Sequence, residues 1–267
     1  MSAFAHDSRE LAEMYDRISE LQFEGGKRLI ERLGVQEGSH VLDVGCGTGR
    51  LAHWLSERVG PNGAVAGVDP LEERINLARS RGGTPRFEVG QAEDLRAFAD
   101  ASFDFVCMSS VLHWVDDKAK ALSEARRVLR PGGLLGVTTV PQELSAAGTL
   151  GLTLEPLLAR APYAGRVDRS MLTFAKGKPM TELMSLVIES RLDLLELHVM
   201  QRSRTHASGA AFVDFIDASA FGTFLRPVPE DLRSSLRADL IAALDAQRGT
   251  QGVVMRGWGV MMMVRRP

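Results

Sequence analysis

Three groups of residues in the first half of the chain have types and spacings suited to chemistry on a small ligand. In VLDVGCGTGR (41–50), the carboxylate of Asp43 interrupts an apolar run, and glycines follow at alternate positions: Gly45, Gly47 and Gly49. Glycine admits positive φ and lets a ligand approach main-chain amides closely. Asp69 closes a second apolar run, twenty positions past Gly49. A carboxylate only accepts hydrogen bonds at neutral pH and can take them from both hydroxyls of a ribose. The third group is SSVLHWVDD (109–117), where His113 could act as a base or bind a substrate.

The spacing narrows the ligand. Dinucleotide-binding turns read G-x-G-x-x-G, with the third glycine opening a helix; Arg50 stands in that place here. A pyrophosphate would find no good partner. A ligand with a nucleoside and an amino-acid tail but no phosphates fits better, with Asp43 facing its cationic end. A glycine-rich turn alone is as readily a tight turn; the flanking acids separate the two readings.

These residues need a frame. Residues 41–44, 64–68, 86–89, 103–108 and 134–140 are apolar runs that read as strands, and helices are expected over 50–59, 70–81 and 117–129. Pro70 suits the first turn of a helix, where no N–H is needed. Alternating strands and helices imply a parallel sheet covered on both faces, so its strands are continuously apolar. Residues 8–33 are helical in period, with Gly25-Gly26 expected to divide them and Gly34 to stop them. After the fifth strand come helices over 150–160 and 180–190, a candidate lid. A strand over 192–202, a helix over 229–247 and a last strand over 253–264 complete the sheet.

Bulk composition excludes several classes. With 267 residues, 25% of them charged, and a net charge of −2, the chain lacks the basic excess of a nucleic-acid binder. Cys46 and Cys107 have no metal-ligand spacing, so no metal or disulfide is expected. No run approaches the about 18 apolar residues of a membrane span. The N-terminus has no signal-peptide core, and a cytoplasmic location is expected.

VLDVGCGTGR, GVDP (67–70), VGQAEDL (89–95) and LRPGG (129–133) together resemble the class I methyltransferases that use S-adenosylmethionine. The resemblance covers residues 35–140 closely and implies an α/β, Rossmann-like, seven-stranded sheet whose last strand is antiparallel, with helices on both faces. The whole chain then reads as one domain: N-terminal helices (1–34), cofactor-binding core (35–140), helical lid (141–190) and sheet completion (191–267). It also implies roles. Gly45, Gly47 and Gly49 would lie against the methionine part, Asp69 would hold the ribose, and Pro70 and Arg74 would border the adenine. Gln91, where the family often has Asp, and Ala92 would meet the adenine edge, and Ser109 would line the sulfonium pocket. Apart from the resemblance, Tyr15 in the N-terminal helix could equally close over the cofactor or pack in the core.

Methyl transfer needs alignment of acceptor and methyl group more than a shared catalytic apparatus, so the substrate signal is faint. The expected acceptor is a small molecule, with oxygen ahead of carbon or nitrogen. The His113-Trp114 pair is similar to enzymes acting on small carboxylic acids, and residues 208–233 resemble the trans-aconitate group. YDRIS (15–19) is shared with quinone C-methylating enzymes. A carboxylate substrate would call for arginine, with Arg160, Arg166, Arg169, Arg202 and Arg204 as candidates and Tyr163 as a wall. Two other readings use the same cofactor motifs: an enzyme attacking the amino-acid chain and releasing methylthioadenosine, and a non-catalytic partner subunit.

Overall fold

Valine- and leucine-rich runs bounded by glycine or proline become strands, and the charged, periodic stretches between them become helices. The computed structural model describes residues 8–146, 148–167, 177–220 and 222–267. In chain order the elements are α1 (Arg9–Ile18), α2 (Glu20–Leu33), β1 (His40–Val44), α3 (Arg50–Val59), β2 (Ala64–Asp69), α4 (Glu72–Ser80) and β3 (Arg86–Val89). Then follow β4 (Phe103–Ser109), α5 (Lys118–Val128), β5 (Leu129–Thr139), α6 (Gln142–Ala146), α7 (Thr149–Leu158) and α8 (Met180–Glu189). β6 (Asp193–His206), α9 (Gly209–Ser219), α10 (Glu230–Asp245) and β7 (Val253–Arg265) close the series.

The sheet has seven strands in the order β3-β2-β1-β4-β5-β7-β6. β1 to β5 pair in parallel, and β7 runs antiparallel to β5. The expected α/β, Rossmann-like architecture with an antiparallel last strand is therefore present. The order reverses between β1 and β4, the kind of crevice in which open parallel sheets bind ligands.

The chain divides into two compact units. One takes its described residues from 19–141, 177–200 and 260–267; the other takes them from 8–18, 142–167 and 201–259. In the first unit, successive strand side chains alternate between two buried faces. Leu42, Val44, Val68 and Met108 pack with Leu122 of α5 and Leu183 and Val187 of α8. Val41, Val65 and Cys107 pack with Leu29, Ile30 and Leu33 of α2 and Leu55 of α3. α8, expected within a lid, is thus a sheet-covering helix. In the second unit, α10 buries Leu236, Leu240 and Leu244 at four-residue spacing, and α9, not foreseen as an element, buries Phe212 and Ile216.

Other local expectations are corrected. Helices α1 and α2 are divided at Ser19, and Gly25-Gly26 lies inside α2. A Cβ at Gly26 would lie 2.8 Å from the Leu51 side chain, so glycine here serves helix approach. Its intrinsic helix cost, about 1 kcal/mol, is offset by packing. α4 starts at Glu72, leaving Pro70 ahead of the helix. β5 begins at Leu129, five residues early, because Leu129 already pairs with Phe103 before a register shift over the Pro-Gly-Gly turn. Gly34 does end α2, with φ of 74°.

Candidate functional site

The expected binding residues lie at the carboxyl ends of β1 to β4, all within one unit. The turn after β1 needs positive φ at three places: Gly45 (72°), Gly47 (54°) and Gly49 (78°). At Gly45 a Cβ would also stand 2.3 Å from Val111 Cγ2. The turn is tied on several sides. The Gly45 and Cys46 amides donate to the Val68 carbonyl (2.7 and 3.1 Å), and Arg81 Nε donates to the Thr48 carbonyl (3.0 Å).

Asp69 binds the turn to the second strand. Its Oδ2 accepts from the Gly47 amide at 2.9 Å and its Oδ1 from the Leu71 amide at 3.0 Å. The Asp69 carbonyl in turn accepts from the Gly90 amide at 3.1 Å, fixing the loop after β3. In that loop Ala92 is buried and Gln91 exposed, its carbonyl accepting from the Asp94 amide at 3.0 Å. Pro70 is half-buried at the end of β2 and Arg74 is buried in α4.

Asp43 is the most unusual group. It is 2% exposed, its Oδ1 accepts from the Cys107 thiol at 3.3 Å, and its Oδ2 has no partner. Burial raises its pKa to about 7; the Cys107 hydrogen bond works against this and nearby Asp69 adds to it. The Cys46 and Cys107 thiols are pushed well up, first by burial and then by neighbouring negative charge.

After β4, Ser110 adopts φ of 63°, uncommon for a residue with a side chain. Its amide donates to Thr138 Oγ1 (2.8 Å) and to the Thr138 carbonyl (3.0 Å). Ser109, half-buried, ends the strand. His113 is buried, with Nδ1 3.1 Å from Thr139 Oγ1 and its ring 5.3 Å from that of Trp114.

Residues 42–137 match the family described as a methyltransferase domain. The matched stretch runs from β1 to β5 and includes the glycine turn and Asp69. A demethylmenaquinone methyltransferase of Staphylococcus aureus is 36% identical over 135 residues, 48% of this chain and 56% of that protein. The chain thus spans just over half the length of this curated relative. Among solved structures, the YcgJ protein of Bacillus subtilis is 18% identical with a TM-score of 0.63, covering 91% of this chain and 98% of that one. The [4+2]-cyclase SpnF is 20% identical with a TM-score of 0.58, covering 92% and 81%. These structural likenesses concern the fold alone.

The same unit also contains anchors that residue order did not reveal. Arg127 of α5 donates to the Leu95 carbonyl (2.9 Å), the Phe98 carbonyl (3.0 Å) and the Glu124 carboxylate. Glu124 Oε2 accepts from the Leu95 amide at 2.8 Å, so α5 holds the loop carrying Gln91 and Ala92. An arginine and a glutamate three apart on a helix read as an ordinary surface pair. His53 of α3 is half-buried, with Nε2 3.1 Å from the Ala78 carbonyl.

Tyr15 and the described arginine candidates belong to the other unit. Tyr15 is half-buried in α1. Arg166 pairs with Asp231 at 2.8 Å, and Arg204 donates to the Ile18 carbonyl at 2.5 Å. Tyr163 is fully buried and donates to Asp239 at 2.8 Å, which makes it a packing residue of that unit. Arg169 lies outside the described residues.

Proposed function

We propose that this chain transfers a methyl group from S-adenosylmethionine to a small molecule. One observation carries the reading: two buried carboxylates flank an intact left-handed glycine turn, and one of them, Asp43, keeps an oxygen with no protein partner. The residues fit the cofactor. Asp43 suits a cationic group, Gly45, Gly47 and Gly49 hold the left-handed turn that a side chain would strain, and Asp69 is already oriented by two amides. Pro70, Arg74, Gln91 and Ala92 are assigned to the adenine, and Ser109 to the sulfonium side.

When bound, the cofactor supplies a methyl group already activated by its positively charged sulfur. The protein then has to align the acceptor and exclude water. We assign His113 to the acceptor side. Thr139 orients its ring, and an imidazole there can take the proton that a hydroxyl loses on methylation, whereas a carboxylate needs placement only. An oxygen acceptor is therefore the leading reading. The likeness to a demethylmenaquinone methyltransferase favours a second one, carbon methylation of a quinone-like substrate.

The test is incubation of the purified protein with S-adenosylmethionine and a metabolite extract, with the nucleoside product identified by mass spectrometry. S-adenosylhomocysteine above a no-extract control supports the reading, and the extract component that gains one methyl names the acceptor. Methylthioadenosine above spontaneous breakdown overturns it in favour of attack on the amino-acid chain.

A further inference from the structure

Across the sheet, Phe87, Gly67, Asp43, Cys107, Gly136 and Met263 are register partners on successive strands. Asp43 is the one carboxylate in this row. The space beside it at Gly67 is filled: a Cβ there would lie 2.8 Å from Cys46 Sγ and from the Phe87 ring. Among the described residues, the titratable groups that act on Asp43 are Cys107 on β4 and Asp69 at the end of β2, with the Cys46 thiol of the turn coupled to it, and none of these is a cation. A carboxylate sealed from water, with one weak thiol donor and one unpartnered oxygen, is costly to keep ionised.

We propose that Asp43 carries a proton in the empty protein and releases it when a cationic ligand seats on the glycine turn, with the Cys107 thiol stabilising the carboxylate that results. One O–H bond breaks, the proton goes to solvent, and the ligand's positive charge replaces it. Cofactor binding is thereby coupled to pH, and Cys107 is a positioning residue that acts through Asp43. The inference rests on the reading that the turn takes S-adenosylmethionine.

The raised pKa of Asp43 agrees with this geometry. For a group titrating at about 7, protons released per ligand bound are about 0.9 at pH 6 and about 0.1 at pH 8. The experiment is calorimetric titration of the whole chain with S-adenosylmethionine at pH 6, 7 and 8, in buffers of different ionisation heat. The ligand's α-amino group itself titrates at about 8, so the readout is the difference between the native protein and Asp43→Asn. That difference should follow the stated fall with pH, and Cys107→Ala should move it to higher pH. Equal proton counts in the native protein and Asp43→Asn overturn the coupling while leaving the methyltransferase reading intact; absence of binding overturns both. Infrared spectroscopy of the empty protein at pH 6 gives a check that needs no ligand. A protonated-carboxyl band should be present and should vanish in Asp43→Asn; its absence in the native protein overturns the proposal.

Discussion

The amide of Gly47 donates to the carboxylate of Asp69 across 2.9 Å, so the turn after β1 and the end of β2 are one assembly. The acid assigned to the ribose is thus also a brace of the glycine turn. Asp69→Asn can offer an oxygen to Gly47 or to Leu71, and its NH₂ then faces the other donor. S-adenosylmethionine affinity should fall by at least about tenfold and thermal stability should drop, as expected for a buried donor left without its acceptor. Calorimetry and thermal unfolding on the same sample would show both. Native affinity in the variant would remove Asp69 from the site.

Gly45→Ala should destabilise the fold at the glycine turn. The added Cβ meets Val111 at 2.3 Å and the backbone must still hold φ of 72°. Strain of about 1–3 kcal/mol is expected. Pairing it with Val111→Ala relieves the contact and leaves the φ strain, so the double variant should recover stability only in part. Denaturant midpoints for the three proteins would measure this.

His113→Ala should lower kcat by about 10²–10⁴-fold if the residue takes the acceptor's proton, with cofactor affinity little changed. Thr139→Val, which removes the hydroxyl beside Nδ1, should lower kcat less and shift its pH profile. An unchanged kcat in His113→Ala would remove the histidine from the acceptor side.

Arg127→Ala should loosen the loop after β3 by removing its donors to Leu95 and Phe98. We expect a stability loss of about 1–3 kcal/mol and faster amide exchange over residues 90–100. Exchange unchanged in that loop would show that Gly90 and Glu124 suffice to hold it.

Stability should depend on pH in opposite senses at two buried groups. The unfolded chain loses the Asp43 proton near 3.8 and the folded protein keeps it to about 7. Between these values the folded state holds more protons, so stability rises as pH falls through 7, by an amount on the order of 4 kcal/mol. His206 is buried with Nε2 unpartnered, and burial, with Arg204 nearby, lowers its pKa to about 4. Its contribution is complete above 6.5 and is lost as pH falls toward 4. Unfolding midpoints between pH 4 and 8 should show the Asp43 slope vanish in Asp43→Asn and the acid-side loss shrink in His206→Phe.

Much of this was legible in the residue order because the signals are local. Apolar runs bounded by glycine and proline located β1 to β3, the apolar run alone located β4, and the bounds of α3 and β3 were read correctly to the residue. The glycine turn and its two acids are likewise contiguous with the strands that present them. By contrast, Gly25-Gly26 misled because a glycine pair looks like a break until α3 is seen packing against it. The start of β5 depends on a pairing partner in β4.

The sequence by itself determined the alternation of strand and helix, the glycine turn and the acids that flank it. Each of these follows from backbone preferences within a few residues or from apolar periodicity. Tertiary structure alone decided that Cys107 faces Asp43, that Arg127 anchors the loop after β3, and that Ser110 takes a left-handed conformation. The physical reason is common to all three: parallel pairing and helix packing bring together residues far apart in the chain, and hydrogen bonding and burial then act on neighbours that residue order does not reveal.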